Sequence, residues 1–229
     1  RSKLSFVSRG SMAFIRLTLS SMPLRLHHYG SMLRLPLDAF MASSTRPRLV
    51  ENTFRLALTG TPGTGKTTIA ALLSKEGFVV VTIEELAEIA GALGEVDPAD
   101  NAHPVDLDLL CDYLAETWES APSSPILIDG HLSHHLPADA VVVLRCNPET
   151  LRGRLENRGY SAAKTEGNLE WELLGGAWNE REGKAPWVEF DTSEESAEAI
   201  VADISKWISD GFKPADPEAE IDWIARMDD

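Results

Sequence analysis

The residues best suited to chemistry stand at positions 60 to 67, Gly-Thr-Pro-Gly-Thr-Gly-Lys-Thr. Glycines at 60, 63 and 65 let the backbone curl with its N–H groups turned inward, and such a nest at the start of a helix attracts an anion. Lys66 adds a full positive charge for the outer phosphates of a nucleoside triphosphate, and the Thr67 hydroxyl adds an oxygen ligand for Mg²⁺. The flanks give the pattern its weight. Phe54-Arg-Leu-Ala-Leu-Thr59 reads as a short buried strand, and Thr68-Ile-Ala-Ala-Leu-Leu-Ser-Lys75 has helical spacing. The glycines therefore lie in the strand, loop, helix context that a phosphate-binding loop requires.

Two further groups fall where such a loop needs them. Asp129 closes the apolar run Pro125-Ile-Leu-Ile-Asp129, the position of a carboxylate in a Mg²⁺ shell. His131, two residues on, leaves the strand beside the phosphates, where an imidazole orients a water or the transferred group. His134 and His135 read as structural. Arg154 and Arg158 are four apart on a helical stretch, so both planar guanidiniums face one anion. Phosphoryl transfer calls for such cations because charge spreads over the equatorial oxygens. Arg145, at the end of another apolar run, is grouped with them, and Arg152 points to the surface.

The elements that must position these residues alternate. Short β-branched runs at 54–59, 78–82, 125–129, 140–144 and 187–191 are separated by helical patterns at 84–92, 106–119, 148–157, 168–182 and 193–209. Continuous apolar strands between helices predict an α/β fold whose parallel sheet is covered on both faces. Ligands of such sheets gather at the carboxyl ends of the strands, where Gly60, Asp129 and Arg145 fall.

The 229 residues are 43% hydrophobic and 25% charged, a globular balance, and the net charge of −15 opposes any general affinity for nucleic-acid backbone or anionic lipid. No stretch is apolar for long enough to make a membrane span. The charge is unevenly placed. Residues 1–53 hold eight basic and two acidic groups, whereas residues 54–229 hold 13 basic and 34 acidic groups. That acidic surface fits a protein kept soluble at high salt. The leader, residues 1–52, is rich in Ser, Arg and Leu, and repeats Ser-Met at 11, 21 and 31. Three readings of it stay open: a translated upstream stretch with the start near Met41, a transit peptide, or an RNA-contacting or membrane-surface arm. In each it is expected to be poorly ordered. Cys111 and Cys146 have no metal-ligand spacing and suit a reduced, cytoplasmic compartment. The organisation expected is a leader at 1–52, one phosphate-binding domain at 53–211 and an acidic tail at 212–229, whose Ile221, Trp223 and Ile224 suggest a short helix folding back.

Gly60-Thr-Pro-Gly-Thr-Gly-Lys-Thr-Thr68, Ile128-Asp-Gly-His-Leu132, Val143-Leu-Arg-Cys146 and Arg154-Leu-Glu-Asn-Arg-Gly-Tyr-Ser161, followed by Lys164 and Asn168, together resemble the adenylate kinase 6 family. That family spans the eukaryotic CINAP proteins and archaeal adenylate kinases, and the wording here is nearer the archaeal members. The likeness runs from about 54 to 209. It implies a P-loop NTPase fold of nucleoside monophosphate kinase type, three layers α/β/α around a five-stranded parallel sheet, with a monophosphate-binding insertion after the second strand and a short lid. It implies ATP held by Gly60, Thr61, Pro62, Gly63, Thr64, Gly65, Lys66, Thr67 and Thr68, with Arg154 and Arg158 over it, and Mg²⁺ at Thr67 and, through water, Asp129. Lys66, Asp129, His131 and Arg158 are the implied catalytic residues. The implied reaction moves the γ-phosphate of ATP to AMP, with some ATPase activity. In eukaryotes the family also serves small ribosomal subunit maturation with a ribosomal protein partner, so an ATPase-type assembly factor is the alternative, and a kinase for another small acceptor is a third. Sequence-specific nucleic-acid binding is not expected. The chain departs from the family at Gly167, where Glu is usual, and it has no Arg or Lys between Thr82 and Leu114 to hold an AMP phosphate.

Overall fold

The five β-branched runs form the strands β1 (Arg55–Thr59), β2 (Val79–Thr82), β3 (Ile126–Asp129), β4 (Ala140–Arg145) and β5 (Trp187–Asp191) of the computed structural model, which describes residues 53–96, 103–215 and 220–227. All neighbours pair in parallel in the order β2-β3-β1-β4-β5. Alternate side chains of each strand leave opposite faces. Leu56, Leu58, Leu127, Val142 and Leu144 therefore enter one core with Ile69, Leu73 and Ile204. Ala57, Val141 and Val143 join Trp187 in a second, and Ile128 meets Ile83, Leu110 and Leu114 in a third. With both faces buried, the sheet is the middle of three layers, the architecture expected of a P-loop fold.

The helices are α1 (Lys66–Lys75), α2 (Ile83–Ala90), α3 (Leu107–Thr117), α4 (Pro148–Asn157), α5 (Ala162–Leu173), the single turn α6 (Gly176–Asn179), α7 (Ala197–Ser209) and α8 (Trp223–Met227). Their starts follow local chemistry. Thr82 and Glu85 make a capping box for α2, and the side chains of Asp106, Asn147, Ser161 and Ser196 cap α3, α4, α5 and α7, each cap holding an amide that has no partner within its helix. One helix differs from expectation. The pattern read as a single helix over 168–182 begins at Ala162, because Ser161 accepts from the Lys164 amide, and breaks at Gly175, whose φ of 79° is left-handed.

The leader at 1–52 lies outside the described residues. In the tail, Ile221 and Trp223 are buried, and the Trp223 indole Nε1 donates to Glu172 Oε1 at 2.9 Å. Both cysteines are free thiols, Cys146 buried and Cys111 half-buried. Among the described residues no helix is long and apolar enough to cross a membrane.

Candidate active site

The turn from β1 into α1 tolerates only glycine at two places. Gly60 has φ 131°, and a Cβ there would lie 2.2 Å from the Leu144 carbonyl oxygen; Gly63 has φ 95°, and its Cβ would lie 2.9 Å from Leu151 Cδ1. The loop is thus wedged between β4 and α4. Thr64 braces it from within, its amide and hydroxyl both donating to the Thr61 carbonyl, at 3.2 and 2.9 Å. Gly65, left-handed at φ 97°, precedes α1 without a side-chain cap, so the first amides and the positive end of the helix dipole are left for an anion. The Lys66 ammonium donates to the carbonyls of Gly60 at 2.7 Å and Thr61 at 3.0 Å. Burial lowers its pKa from 10.5 to about 8, with Asp129 acting in the opposite direction.

The carboxyl ends of β2 and β3 sit in register, Thr82 opposite Asp129, and open a cleft of about 340 Å³ beside the loop. Lys66, Thr67, Glu84, Asp129, His131, Arg158 and Tyr160 all line it. Burial raises the Asp129 carboxyl above its ordinary value, Lys66 opposing and Glu84 adding to the rise. The His131 imidazole is lowered, first by partial burial and then by the Lys66 charge, although the residue as a whole is exposed. Its neutral form prevails at pH 7. The Thr67 hydroxyl and the carboxylates of Asp129 and Glu84 offer only oxygen, the donor chemistry of a hard cation such as Mg²⁺, so the residues present fit that ion.

A second cavity, of about 450 Å³, lies on the other side of the loop, lined by Gly63, Thr64, Gly65, Thr68, Arg154 and Arg158 with an apolar wall of Ile69, Ala197 and Ile200. Among the described residues, Arg158 is the one charged residue that lines both cavities. Thr61 and Pro62 complete the loop. Thr61 is fully buried and donates to Glu172, while Pro62 lines the cleft.

The arginines do not act as one group. Arg145, expected among the phosphate-facing cations, is 2% exposed. Its Nε donates to Glu172 Oε1 at 2.8 Å and its Nη1 to Glu189 Oε2 at 2.9 Å. Two buried carboxylates satisfy it, so it has no phosphate to hold. Arg154 shares a cavity with Arg158, yet its guanidinium is anchored on Thr192, donating to the carbonyl oxygen at 2.6 Å and to Oγ1 at 3.2 Å. Arg152 is at the surface, paired with Glu166. His134 is buried against Thr59, as a structural histidine would be.

Sequence reasoning missed Glu172. Its carboxylate accepts from Thr61 in the loop, Arg145 and the Cys146 amide in and after β4, and Trp223 in the tail. The signal was present: Thr165, Leu169 and Glu172 are the buried positions of α5, and an acid on the inward stripe of a helix must have buried partners. Glu84 was missed as well, because its position in the first turn of α2 reads equally as a helix-dipole residue.

A family model described as "AAA domain" matches residues 56–175. The "Putative adenylate kinase" of Methanocaldococcus jannaschii is 35% identical over 176 residues, covering 76% of this chain and 96% of that one. The protein of the same name from Archaeoglobus fulgidus is 36% identical over 181 residues, covering 76% and 94%. Among solved structures, a shikimate kinase from Bacteroides thetaiotaomicron is 20% identical, covering 69% of this chain and 99% of that one, at a TM-score of 0.45. With its phosphate loop, its parallel five-stranded sheet and relatives matched over nearly their whole length, the chain belongs to the family of P-loop kinases whose archaeal members carry the name adenylate kinase.

Proposed function

We propose that the protein is a Mg²⁺-dependent kinase that transfers the γ-phosphate of ATP to AMP. The observation that carries this reading is the position of Arg158, lining both the cavity against α1 and the cleft that holds Lys66 and Asp129. One cation between two cavities is what transfer between two bound nucleotides requires, since the charge to be neutralised lies midway. The cavity walled by Ile69, Ala197 and Ile200 takes the adenosine of ATP, and the loop from Gly60 to Thr68 takes its phosphates. Lys66, whose pKa burial depresses, regains a firm charge against phosphate oxygens. Arg154, fixed by Thr192, borders the donor and does not move with the transferred group. The cleft beside Thr82, Glu84 and Tyr160 takes the acceptor.

Thr67 and Asp129 would hold Mg²⁺, Asp129 through water, and that ion supplies charge neutralisation on the phosphates. No general base is needed. A phosphate monoester has a second pKa of about 6, so the attacking oxygen of AMP is already ionised at pH 7 and positioning supplies most of the catalysis. His131, neutral in the cleft, orients the acceptor.

A second reading rests on the absence of Arg and Lys from Thr82 to Leu114. An acceptor segment that brings no cation of its own, leaving only Lys66 and Arg158 at the cleft, suits water better than a phosphate dianion. In that case His131 positions water, and ATP hydrolysis drives a conformational cycle such as assembly of the small ribosomal subunit demands. Initial rates of ADP formation with and without AMP distinguish the two. AMP dependence abolished by Lys66→Ala supports the kinase. ADP formation indifferent to AMP, together with retention on small ribosomal subunits, supports the ATPase.

A further inference from the structure

Outside the cleft, two imidazoles and a carboxylate converge at the 3₁₀ turn Ser133–His135 that follows β3. Glu180 Oε2 lies 3.0 Å from His134 Nε2 and 3.4 Å from His135 Nε2. Each residue offers one ligand atom, and the three atoms lie within 4.8 Å of one another. The protonation of His134 follows from its other nitrogen. Thr59 Oγ1 is 2.8 Å from the His131 carbonyl oxygen and 2.8 Å from His134 Nδ1. A hydroxyl has one proton, and only its donation to the carbonyl keeps two bare oxygens from facing each other. Thr59 must then accept from His134, so Nδ1 carries the hydrogen and Nε2 presents a lone pair. That lone pair faces Glu180 Oε2, and the second imidazole approaches the same oxygen.

We propose that His134, His135 and Glu180 form a site for a divalent transition-metal ion of the Zn²⁺ class. Imidazole nitrogen and carboxylate oxygen are ligands of borderline softness that Zn²⁺ takes at about 2.0–2.2 Å in tetrahedral array, and tetrahedral edges of that size are about 3.3–3.5 Å long. The observed separations of 3.0 and 3.4 Å lie near two of those edges, and completing the third requires the two rings, now 4.0 Å apart between centroids and tilted by 39°, to swing apart. The Thr59 hydroxyl supplies the partner on the far ring nitrogen that fixes the tautomer of a ligating histidine. A proton on His134 would bridge only one of the two close contacts and would place a charge on a side chain of 0% exposure. His135 and Glu180 have side chains 33% and 43% exposed, so the ion has a route in and room for water in the remaining position. The bound metal ties the segment after β3, which carries His131, to the segment after α6. This site stands independently of the reaction proposed above.

The test uses the full chain freed of metal with EDTA and exchanged into chelator-free, nucleotide-free buffer. Calorimetric titration with ZnCl₂ is expected to show one equivalent bound at this site and a rise in melting temperature, and Co²⁺ in its place should give the visible bands of a low-coordinate nitrogen and oxygen site. His135→Ala and Glu180→Gln, both at exposed positions, should each weaken Zn²⁺ binding at least about 100-fold, since loss of a mere supporting partner already costs 10–100-fold. Both should keep the metal-free melting temperature and the rate of ADP formation. Absence of Zn²⁺ binding by the unmodified chain, or wild-type affinity in either variant, overturns the site.

Discussion

Replacing Glu172 by alanine should unfold much of what holds the phosphate loop in place. The carboxylate is 2% exposed and accepts from Arg145 Nε, Thr61 Oγ1, the Cys146 amide and Trp223 Nε1. Removing one partner of a buried ion pair costs about 3–5 kcal/mol. Glu189 still pairs with Arg145 at 2.9 Å, which places that loss at the lower end. Three further donors lose their acceptor at about 1–3 kcal/mol each, but they share one residue and one new cavity, so the losses do not add in full. The expected total is about 4–6 kcal/mol, a large part of the 5–15 kcal/mol typical of a domain, or a fall in melting temperature of roughly 8–24 °C at this size. Glu172→Gln keeps the shape and one acceptor oxygen and should lose about 1.5–3 kcal/mol. Urea titration followed by tryptophan fluorescence reads both, since Trp187, Trp207 and Trp223 are buried. A Glu172→Ala midpoint equivalent to less than 1 kcal/mol of destabilisation would refute the view that this carboxylate joins loop, sheet and tail.

Other perturbations probe the rest of the site. Burial lowers Lys66 from 10.5 to about 8, so between those values the unfolded chain binds more protons than the fold and stability rises with pH. Below pH 8 the charge costs the ligand-free protein about 2–3 kcal/mol, allowing for its half-buried position. Lys66→Met in EDTA should therefore raise the urea midpoint at pH 7 and lose that advantage by pH 10.5, and a gain equal at both pH values contradicts the assignment. Gly60→Ala drives a methyl into the Leu144 carbonyl at 2.2 Å and should abolish retention on ATP-agarose even where circular dichroism shows folded protein. Arg158→Ala should lower kcat on the order of 10³-fold, with little recovery in Arg158→Lys because an ammonium cannot replace the planar fork. A rise in KM with kcat unchanged would show that Arg158 only binds.

The strands and the loop were legible because each rests on local signals: β-branched runs of the right length and a glycine spacing that only one backbone path satisfies. The placement of Lys66, Thr67, Asp129 and His131 around one cleft followed, since parallel strands deliver their carboxyl ends to one edge. Arg145 misled because its sequence position, at the end of β4, is the same whether the side chain meets phosphate or two buried acids. Glu172 and Glu189, 27 and 44 residues further on, decide that question through tertiary packing. The start of α5 at Ala162 was similarly hidden, as Gly167 and Asn168 in its middle weaken the helical pattern and only the Ser161 cap reveals where it begins.

The measurement closest to the proposed reaction is the initial rate of ADP formation by the purified chain with Mg²⁺ and ATP, with AMP varied from zero to saturation. A rate that rises hyperbolically with AMP, yields two ADP per ATP consumed and disappears in Lys66→Ala is the predicted result. A rate independent of AMP, yielding one ADP and one inorganic phosphate per ATP, would contradict transfer between two nucleotides across Arg158.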